Sequence, residues 1–405
     1  MKFELPRGTH DILPTEFPLW RKVFDAFEDL CDLYGYRHIQ TPVFEDTELF
    51  VRTSGQGSDV VTKEMYTFED RGGRSLTLRP EATAPIVRAY LEHGMHRDPQ
   101  PVKLYTYESL YRYGRPQKGR FREHWQLDLE AIGSDDPAVD AEVIQLYDAL
   151  LRRLGVTDYS LELNSIGDPN CRPQYLSEQL EPWLSRHAGD LDEATREQAS
   201  RNPLRALDNI SAKPPEVQEL LRSAPAIGDS LCDACREHFA EVRRFLDAYG
   251  VSYELVPTLV RGLDYYTRTT WEFVGPEGTS TSTLSGGGRY DGLAAELGGP
   301  HTPAIGFGAG IERLLLALPE QEPDEAAVDV FFVCERGSDR AAVAAAMKAL
   351  REGGSRVDMD YAGRSVKGQY TQAGRLRAKK VVVVTAETDL RAVLGDLPAS
   401  ARREG

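Results

Sequence analysis

The chain has 405 residues, of which 41% are hydrophobic and 28% charged, and its formal net charge is −16. A chain of this length holds two or three domains with sizeable cores, and its acidic balance excludes a protein that coats nucleic acid non-specifically. No run approaches the roughly 18–20 apolar residues of a membrane span, and the opening MKFELPRGTHDILP lacks the apolar core of a secretory signal, so a cytoplasmic protein with no membrane partner is expected.

Residues 15–34 read as an amphipathic helix: Trp20, Val23, Phe24, Phe27 and Cys31 recur at helical spacing, and Gly35 ends the run. Residues 36–45 read as a strand interrupted by Pro42, which suits an edge or an interface. A loop beginning at Phe50 leads to a strand at 63–68. The strand 75–78 runs into Arg79-Pro80-Glu81-Ala82-Thr83-Ala84-Pro85, and a helix at 86–92 follows. Glu81 and Thr83 then sit at a strand-to-helix turn, where they either reach a pocket or cap the helix.

Residues 101–113 form the incoming strand of a hairpin whose connection carries Arg112, Arg115, Lys118, Arg120 and Arg122, with Gly114, Pro116 and Gly119 between them. The return strand alternates as Trp125-Gln126-Leu127-Asp128-Leu129-Glu130. Guanidinium groups bind phosphate oxygens bidentately, so a polyanion fits this loop; a solvated hairpin is the plain alternative.

A helix is expected at 138–154 and a strand at 159–163, leading to Asn164-Ser165-Ile166-Gly167. Residues 168–250 are helical in pattern and lack strand signals. A strand at 255–259 feeds Val260-Arg261-Gly262-Leu263-Asp264-Tyr265-Tyr266, and the sheet continues at 269–274. After a Ser/Thr-rich turn, the glycines of Gly286-Gly287-Gly288-Arg289-Tyr290-Asp291-Gly292 let a ligand lie against the backbone. Residues 303–314 form a glycine-rich strand running into a helix; the spacing is G-x-G-x-G rather than G-x-G-x-x-G and opens no βαβ repeat, which excludes a dinucleotide fold. Residues 319–324 (PEQEPD) are a linker by composition, and β, α, β, α, β alternate at 328–333, 341–352, 356–360, 365–376 and 380–384. Arg364, Lys367, Arg375, Arg377, Lys379 and Lys380 form a second basic island there.

Five cysteines, an odd and sparse set, argue against a disulfide framework. Cys232 and Cys235 make the one C-x-x-C. A zinc there needs further ligands; His238 is near, but no fourth ligand is evident in the sequence.

The stretch RPQKGR followed by W-Q-L-x-x-E resembles motif 2 of the class II aminoacyl-tRNA synthetases, in the form found in the histidyl-tRNA synthetase family. The long helix and Thr41-Pro42 strand resemble motif 1, the glycine-rich strand with Arg313 resembles motif 3, and the Arg-Pro-Glu-x-Thr turn and the phrase Arg261 to Tyr266 are similar to the family's signatures. The resemblance runs from Pro6 to about Val384. It implies an α+β catalytic core on an antiparallel sheet (1–167 and 251–318), a helical insertion (168–250), a linker (319–325) and a small α/β domain of anticodon-binding type (326–405) that reads as shortened.

The implied activity joins histidine to the 3′ end of histidine tRNA through a histidyl-adenylate, with ATP as substrate, Mg²⁺ accompanying it and a homodimer as the assembly. By resemblance Arg112 contacts the α-phosphate and Arg313 the γ-phosphate, with Gly308 lining the ATP site, while Arg261 bridges the substrate carboxylate and α-phosphate. Glu81, Thr83 and Gln126 take the ammonium, Glu130 and Tyr266 the ring nitrogens, and Tyr265 lines the pocket. Gln117, Arg120, Arg364 and Lys367 are the tRNA-side residues, and no protein-held metal is implied. The surrounding arginines are expected to depress the pKa of Glu81 and Glu130, which argues against a general acid/base pair of glycosidase type.

The pattern departs from the family at three places: Gly114 stands where an acidic residue is usual, Gly374 where Asp is expected, and the run after Val384 is short. These leave open a synthetase-like regulatory subunit of ATP phosphoribosyltransferase that senses histidine without charging tRNA.

Overall fold

A computed structural model describes residues 3–55, 58, 60–208, 210–276, 283–319 and 328–390. The chain divides into two compact units, 1–319 and 320–405. The Ser/Thr-rich turn at 277–282 and the linker residues after Pro319 fall outside the described residues.

In the first unit the strands are β1 (Arg37–His38), β2 (Phe44–Asp46), β3 (Tyr66–Glu69), β4 (Ser75–Leu78), β5 (Val102–Tyr111), β6 (Glu123–Ile132), β7 (Ser160–Ser165), β8 (Glu254–Leu255), β9 (Thr267–Val274), β10 (Thr283–Arg289) and β11 (Ala304–Gly310). Eight of them form one sheet in the order β1-β5-β6-β11-β10-β9-β7-β8. Its centre is antiparallel throughout; only the short edge strands β1 and β8 pair in parallel. A smaller antiparallel sheet, β2-β4-β3, carries the turn that holds Glu81.

The alternation along β6 divides the sheet into a dry face and a polar one, because successive side chains in a strand point opposite ways. Leu127, Leu129 and Ala131 enter the main core with Ile305, Phe307 and Ala309 of β11 and Trp271 and Phe273 of β9. The helices Phe17–Leu33, Pro137–Leu154 and Asp233–Tyr249 bury apolar residues against this face. Tyr147 is wedged there, its ring 4.9 Å from that of Phe273 and 5.1 Å from that of Phe307. These edge-to-face contacts exclude water and fix the sheet's position against the helix. The alternate residues Gln126, Asp128 and Glu130 therefore face the other way.

The segment 168–250 is helical as expected, but it does not form a separate core. Tyr175, Trp183, Leu207, Leu221 and Leu231 pack in one cluster with Tyr265, Tyr266 and Tyr290. A helix whose apolar stripe finds a partner in a neighbouring sheet needs no core of its own.

Several local expectations are corrected. The 50–70 region opens with a helix, Thr47–Ser54, capped by the Asp46 side chain on the Glu48 N–H, and residues Val60–Glu64 form a π-helical turn, so the strand begins at Tyr66 rather than at 63. The 36–45 strand is broken in two because the Thr41 N–H is taken by the Glu108 carboxylate. The helix expected at 86–92 starts at Thr83. The strand expected at 255–259 stops at Leu255, because the Asn164 side-chain amide donates to the Pro257 and Leu259 carbonyls and Pro257 has no N–H for a ladder. Gly286, Gly287 and Gly288, for which the sequence assigned no element, lie within a central strand.

In the second unit β12 (Val330–Cys334) pairs in parallel with β13 (Val357–Met359) on one side and β14 (Lys380–Val384) on the other, with helices Arg340–Glu352 and Val366–Arg375. That is the β, α, β, α, β order expected. Of the short run 385–405, residues 391–405 lie outside the described residues.

Candidate active site

The polar face of the sheet forms the floor of a cleft of about 1170 Å³, lined by Glu81, Thr83, Arg112, Gly114, Arg120, Gln126, Arg261, Tyr265, Tyr266, Gly308 and Arg313 among others. Of the catalytic-unit residues given a substrate role by the resemblance, Glu130 and Gln117 do not line it directly, nor do Arg115, Lys118 and Arg122 of the basic hairpin.

The Arg79-Pro80-Glu81 turn is held from beneath. Arg79 is buried and paired with the equally buried Glu108. It also donates from Nε to the Ser109 carbonyl at 2.9 Å and from Nη1 to the Thr41 carbonyl at 2.8 Å. An ion pair satisfied this fully fixes the geometry of the turn, and breaking one partner would strand a charge. Glu81 Oε1 accepts the Ala84 N–H at 3.0 Å, so the capping and pocket readings of Glu81 both hold. Its Oε2 is buried with no hydrogen-bond partner among the described residues.

Register places each polar residue of β6 opposite a glycine of β11: Glu130 faces Gly306, Asp128 faces Gly308 and Gln126 faces Gly310. The absence of side chains there is what admits the polar row. A Cβ on Gly306 would stand 1.7 Å from Glu130 Oε2, and one on Gly308 would stand 2.3 Å from Gln126 Nε2. Glu130 is fully buried; Thr83 Oγ1 donates to its Oε1 at 2.6 Å and Tyr290 donates to its Oε2. Thr83 is therefore tied to Glu130. Gln126 donates to Asp128 Oδ1 at 2.5 Å.

The wall of the cleft carries Arg261, ion-paired with Glu272 of β9, whose other oxygen accepts from Thr283 Oγ1 at 3.1 Å. A Cβ on Gly286 would stand 2.4 Å from the Arg261 guanidinium carbon, so this glycine leaves the arginine its place. The Tyr265 and Tyr266 rings pack at a tilt with their centroids 4.8 Å apart, and Tyr290 meets Tyr265 edge-on at 5.8 Å.

At the other end stands the basic hairpin. Arg112 donates to the Pro80 carbonyl at 2.6 Å, and Arg313 donates to the Thr283 carbonyl at 3.0 Å. Arg120 pairs with Glu64 at 3.0 Å. The Glu64 carboxylate lies 3.5 Å from where a Cβ on Gly114 would be, so an acid does stand beside Gly114, supplied by a different element. Arg122 stacks 3.7 Å above the Tyr113 ring and donates to the Gly114 carbonyl, so it braces the loop instead of facing the cleft. Gln117 closes the loop's tip by a bridge to Arg120, and its side chain is exposed.

Burial governs the electrostatics. Desolvation pushes Glu81 up to about 7, against the pull of the Ala84 N–H and Arg112. It pushes Asp128 up to about 8 and Glu130 well above the carboxylate range. The expected depression of Glu81 and Glu130 by the arginines is thus wrong: removing a carboxylate from water outweighs the guanidinium groups nearby. The same burial, with Arg112, Arg313 and Arg120 adding repulsion, holds His124 down to about 3 and its ring neutral. The site is a set of buried carboxyls that a ligand's positive charge would complete.

Sequence reasoning missed Asp128, Glu272 and Tyr290. Asp128 shares the strand alternation that singled out Gln126 and Glu130, so a signal existed. Tyr290 and Glu272 come close only through strand pairing, and their local sequence carries no sign of it. In the second unit Arg364 is paired with Asp360 at 2.6 Å and Lys379 with Asp329 at 3.2 Å, while Lys367 and Arg375 are exposed.

An antiparallel sheet with glycine-lined polar strands, a basic hairpin and an arginine at the head of the final helix define the catalytic core of a class II aminoacyl-tRNA synthetase. A family model described as histidyl-tRNA synthetase matches residues 8–314. The histidine–tRNA ligase of Halothermothrix orenii is 45% identical, with 95% of this chain and 91% of that protein covered. The apo histidyl-tRNA synthetase of S. aureus superposes with a TM-score of 0.77 at 38% identity, covering 95% and 91% of the two chains. A structure described as an ATP phosphoribosyltransferase regulatory subunit/histidyl-tRNA synthetase from Bacillus halodurans shares the fold, with a TM-score of 0.69 at 24% identity and 95% and 98% coverage. The chain belongs to the histidyl-tRNA synthetase family.

Proposed function

We propose that the chain is a histidine–tRNA ligase. The observation that carries this reading is one cleft that joins a pocket of buried carboxyls and tyrosines to three arginines, Arg112, Arg261 and Arg313. ATP enters as its Mg²⁺ complex. The histidine carboxylate attacks the α-phosphorus, pyrophosphate leaves, and histidyl-adenylate remains. A carboxylate is already ionised at neutral pH, so no general base is needed. The barrier is the approach of two anions, and preplaced cations lower it. Arg112 and Arg261 serve the α-phosphate and Arg313 the γ-phosphate. The 3′-terminal ribose oxygen of the tRNA then attacks the acyl carbon and AMP leaves.

Glu81 and Gln126 hold the ammonium. Thr83, tied to Glu130, orients that carboxyl rather than acting as an independent ligand. Tyr266 meets one imidazole nitrogen, and Glu130, one layer behind the cleft lining, meets the other with a lone pair that its Thr83 and Tyr290 donors leave over, with Tyr265 lining the pocket and Gly308 admitting the nucleotide along β11. An amino acid without those nitrogens would leave buried polar groups unpaired, a loss that can reach roughly 10⁴-fold in selectivity. Arg120, Gln117, Lys367 and Arg364 are the tRNA-side residues of this reading. Val43, Phe44 and Phe68 are large apolar residues exposed beside the small sheet, which supports a homodimer contact there. No helix among the described residues is long and apolar enough to cross a membrane, and a cytoplasmic location accords with this reading.

Histidine-dependent ATP–pyrophosphate exchange on the purified chain tests the first step without tRNA. Exchange that requires histidine and ignores other amino acids is expected. Histidine binding without exchange would overturn the ligase reading and leave a histidine-sensing, non-charging protein.

A further inference from the structure

The start of the helical insertion and the start of its last helix meet at one largely buried cluster outside the cleft. Asp168 and Cys171 stand where the chain leaves β7; Cys232 is the N-cap of the helix Asp233–Tyr249, and Cys235 lies in its first turn. The four potential ligand atoms of Asp168, Cys171, Cys232 and Cys235 all lie within 4.8 Å of one another. Cys171 Sγ and Cys235 Sγ, 64 residues apart in sequence, are 3.9 Å apart in space. In a tetrahedral zinc site with Zn–S bonds of about 2.3 Å, sulfur atoms stand roughly 3.8 Å apart.

We propose that Asp168, Cys171, Cys232 and Cys235 form a structural zinc site that clamps the start of the helical insertion to its last helix. The ligand set is Cys₃Asp, closed, with no open position for substrate. The carboxylate is already oriented: Asp168 Oδ1 accepts the N–H groups of Asn170 and Cys171 at 2.9 and 3.2 Å, the kind of support that fixes a metal ligand. Arg268, with Nη2 3.9 Å from Asp168, offsets part of the negative charge. Binding forms three Zn–S bonds and one Zn–O bond and releases the thiol protons to solvent. The histidine considered from sequence is not a ligand: His238 Nε2 stands 3.7 Å from Asp140, beside the Arg289 pair. The third and fourth ligands were invisible in sequence because Cys171 lies 64 residues from Cys235.

The clamp would also steady the back of the tyrosine wall. Arg172, next to Cys171, donates to the Tyr266 carbonyl at 2.8 Å, and the Arg268 N–H donates to the Gly167 carbonyl at 2.7 Å.

The test is the metal content of the full chain, purified without chelators, measured by plasma mass spectrometry. About one zinc per chain is expected, and cobalt exchanged for it should give the intense visible bands of a tetrahedral thiolate site. Cys232→Ser should lose the metal, while Cys31→Ser, in the main core, should keep it. The wild-type measurement stands alone if a variant fails to fold. A chain that holds neither zinc nor cobalt with all five thiols free would overturn the proposal, as would a mass 2 Da low from a Cys171–Cys235 disulfide.

Discussion

Arg261 and Tyr290 show how single side chains divide the work of the cleft. Arg261 is held by Glu272, not by the carboxyls that would meet histidine. Replacing it by alanine removes a cation aimed at developing charge and leaves the amino-acid pocket in place. Arg261→Ala should lower pyrophosphate exchange by roughly 10²–10³-fold, while histidine binding measured by calorimetry changes only a few-fold; unchanged exchange would contradict the role. Tyr290 donates to Glu130, and its loss leaves that buried oxygen short of a donor. Tyr290→Phe should weaken histidine binding by about 1–3 kcal/mol, seen in the same calorimetric titration. Of these two residues only Arg261 stood out in the sequence, because a lone arginine before Gly-Leu-Asp-Tyr-Tyr is a distinctive phrase. Tyr290 follows a glycine run, and its partner Glu130 lies 160 residues away; no local pattern carries that distance.

At the scale of elements, β11 sets the room available to β6. The sequence displays the glycines of β11 and the alternating polar residues of β6, but not that they are paired residue for residue. Gly306→Ala would drive a methyl group into the Glu130 carboxylate, at 1.7 Å before any relaxation. The central strands cannot give way without disturbing the packed face behind them. Gly306→Ala should therefore abolish histidine binding and lower the melting temperature, whereas Gly189→Ala, which meets nothing within 4 Å, should leave both alone. A Gly306→Ala enzyme with normal exchange would show that Glu130 has another place to stand. Elsewhere local patterning misled where a side chain took a backbone partner: Asn164 ended the strand after Leu255, and Glu108 broke the one at Thr41.

Over the whole molecule, the buried carboxyls make ligand-free stability depend on pH. Folded Glu81 and Glu312 titrate at about 7 and Asp128 at about 8, each raised by burial, whereas unfolded carboxyls ionise near pH 4. A folded state that holds protons longer than the unfolded one loses stability as pH rises between the two values. Buried His124, held down to about 3, acts in the opposite sense, but its contribution is complete once pH passes the unfolded histidine value near 6.5. Between about pH 6.5 and 8 the carboxyls act unopposed by it. The melting temperature of the ligand-free chain should fall across that window, and Glu81→Gln with Asp128→Asn should flatten the fall. A rise instead would mean these groups are already ionised in the folded state.

The sequence alone determined the class, the elements and most of the cleft's membership. Periodicity of two or 3.6 reports which face of an element is dry, and the signature phrases around Glu81, Arg112, Arg261 and Arg313 are contiguous in the chain. Only the tertiary structure decided that Thr83 belongs to Glu130, that Glu64 stands beside Gly114, that burial overrides the arginines at Glu81, and that Cys171 meets Cys235. Each of those depends on strand register or on the distance between segments far apart in the chain, and solvent exclusion follows from packing; neither is written in the order of neighbouring residues.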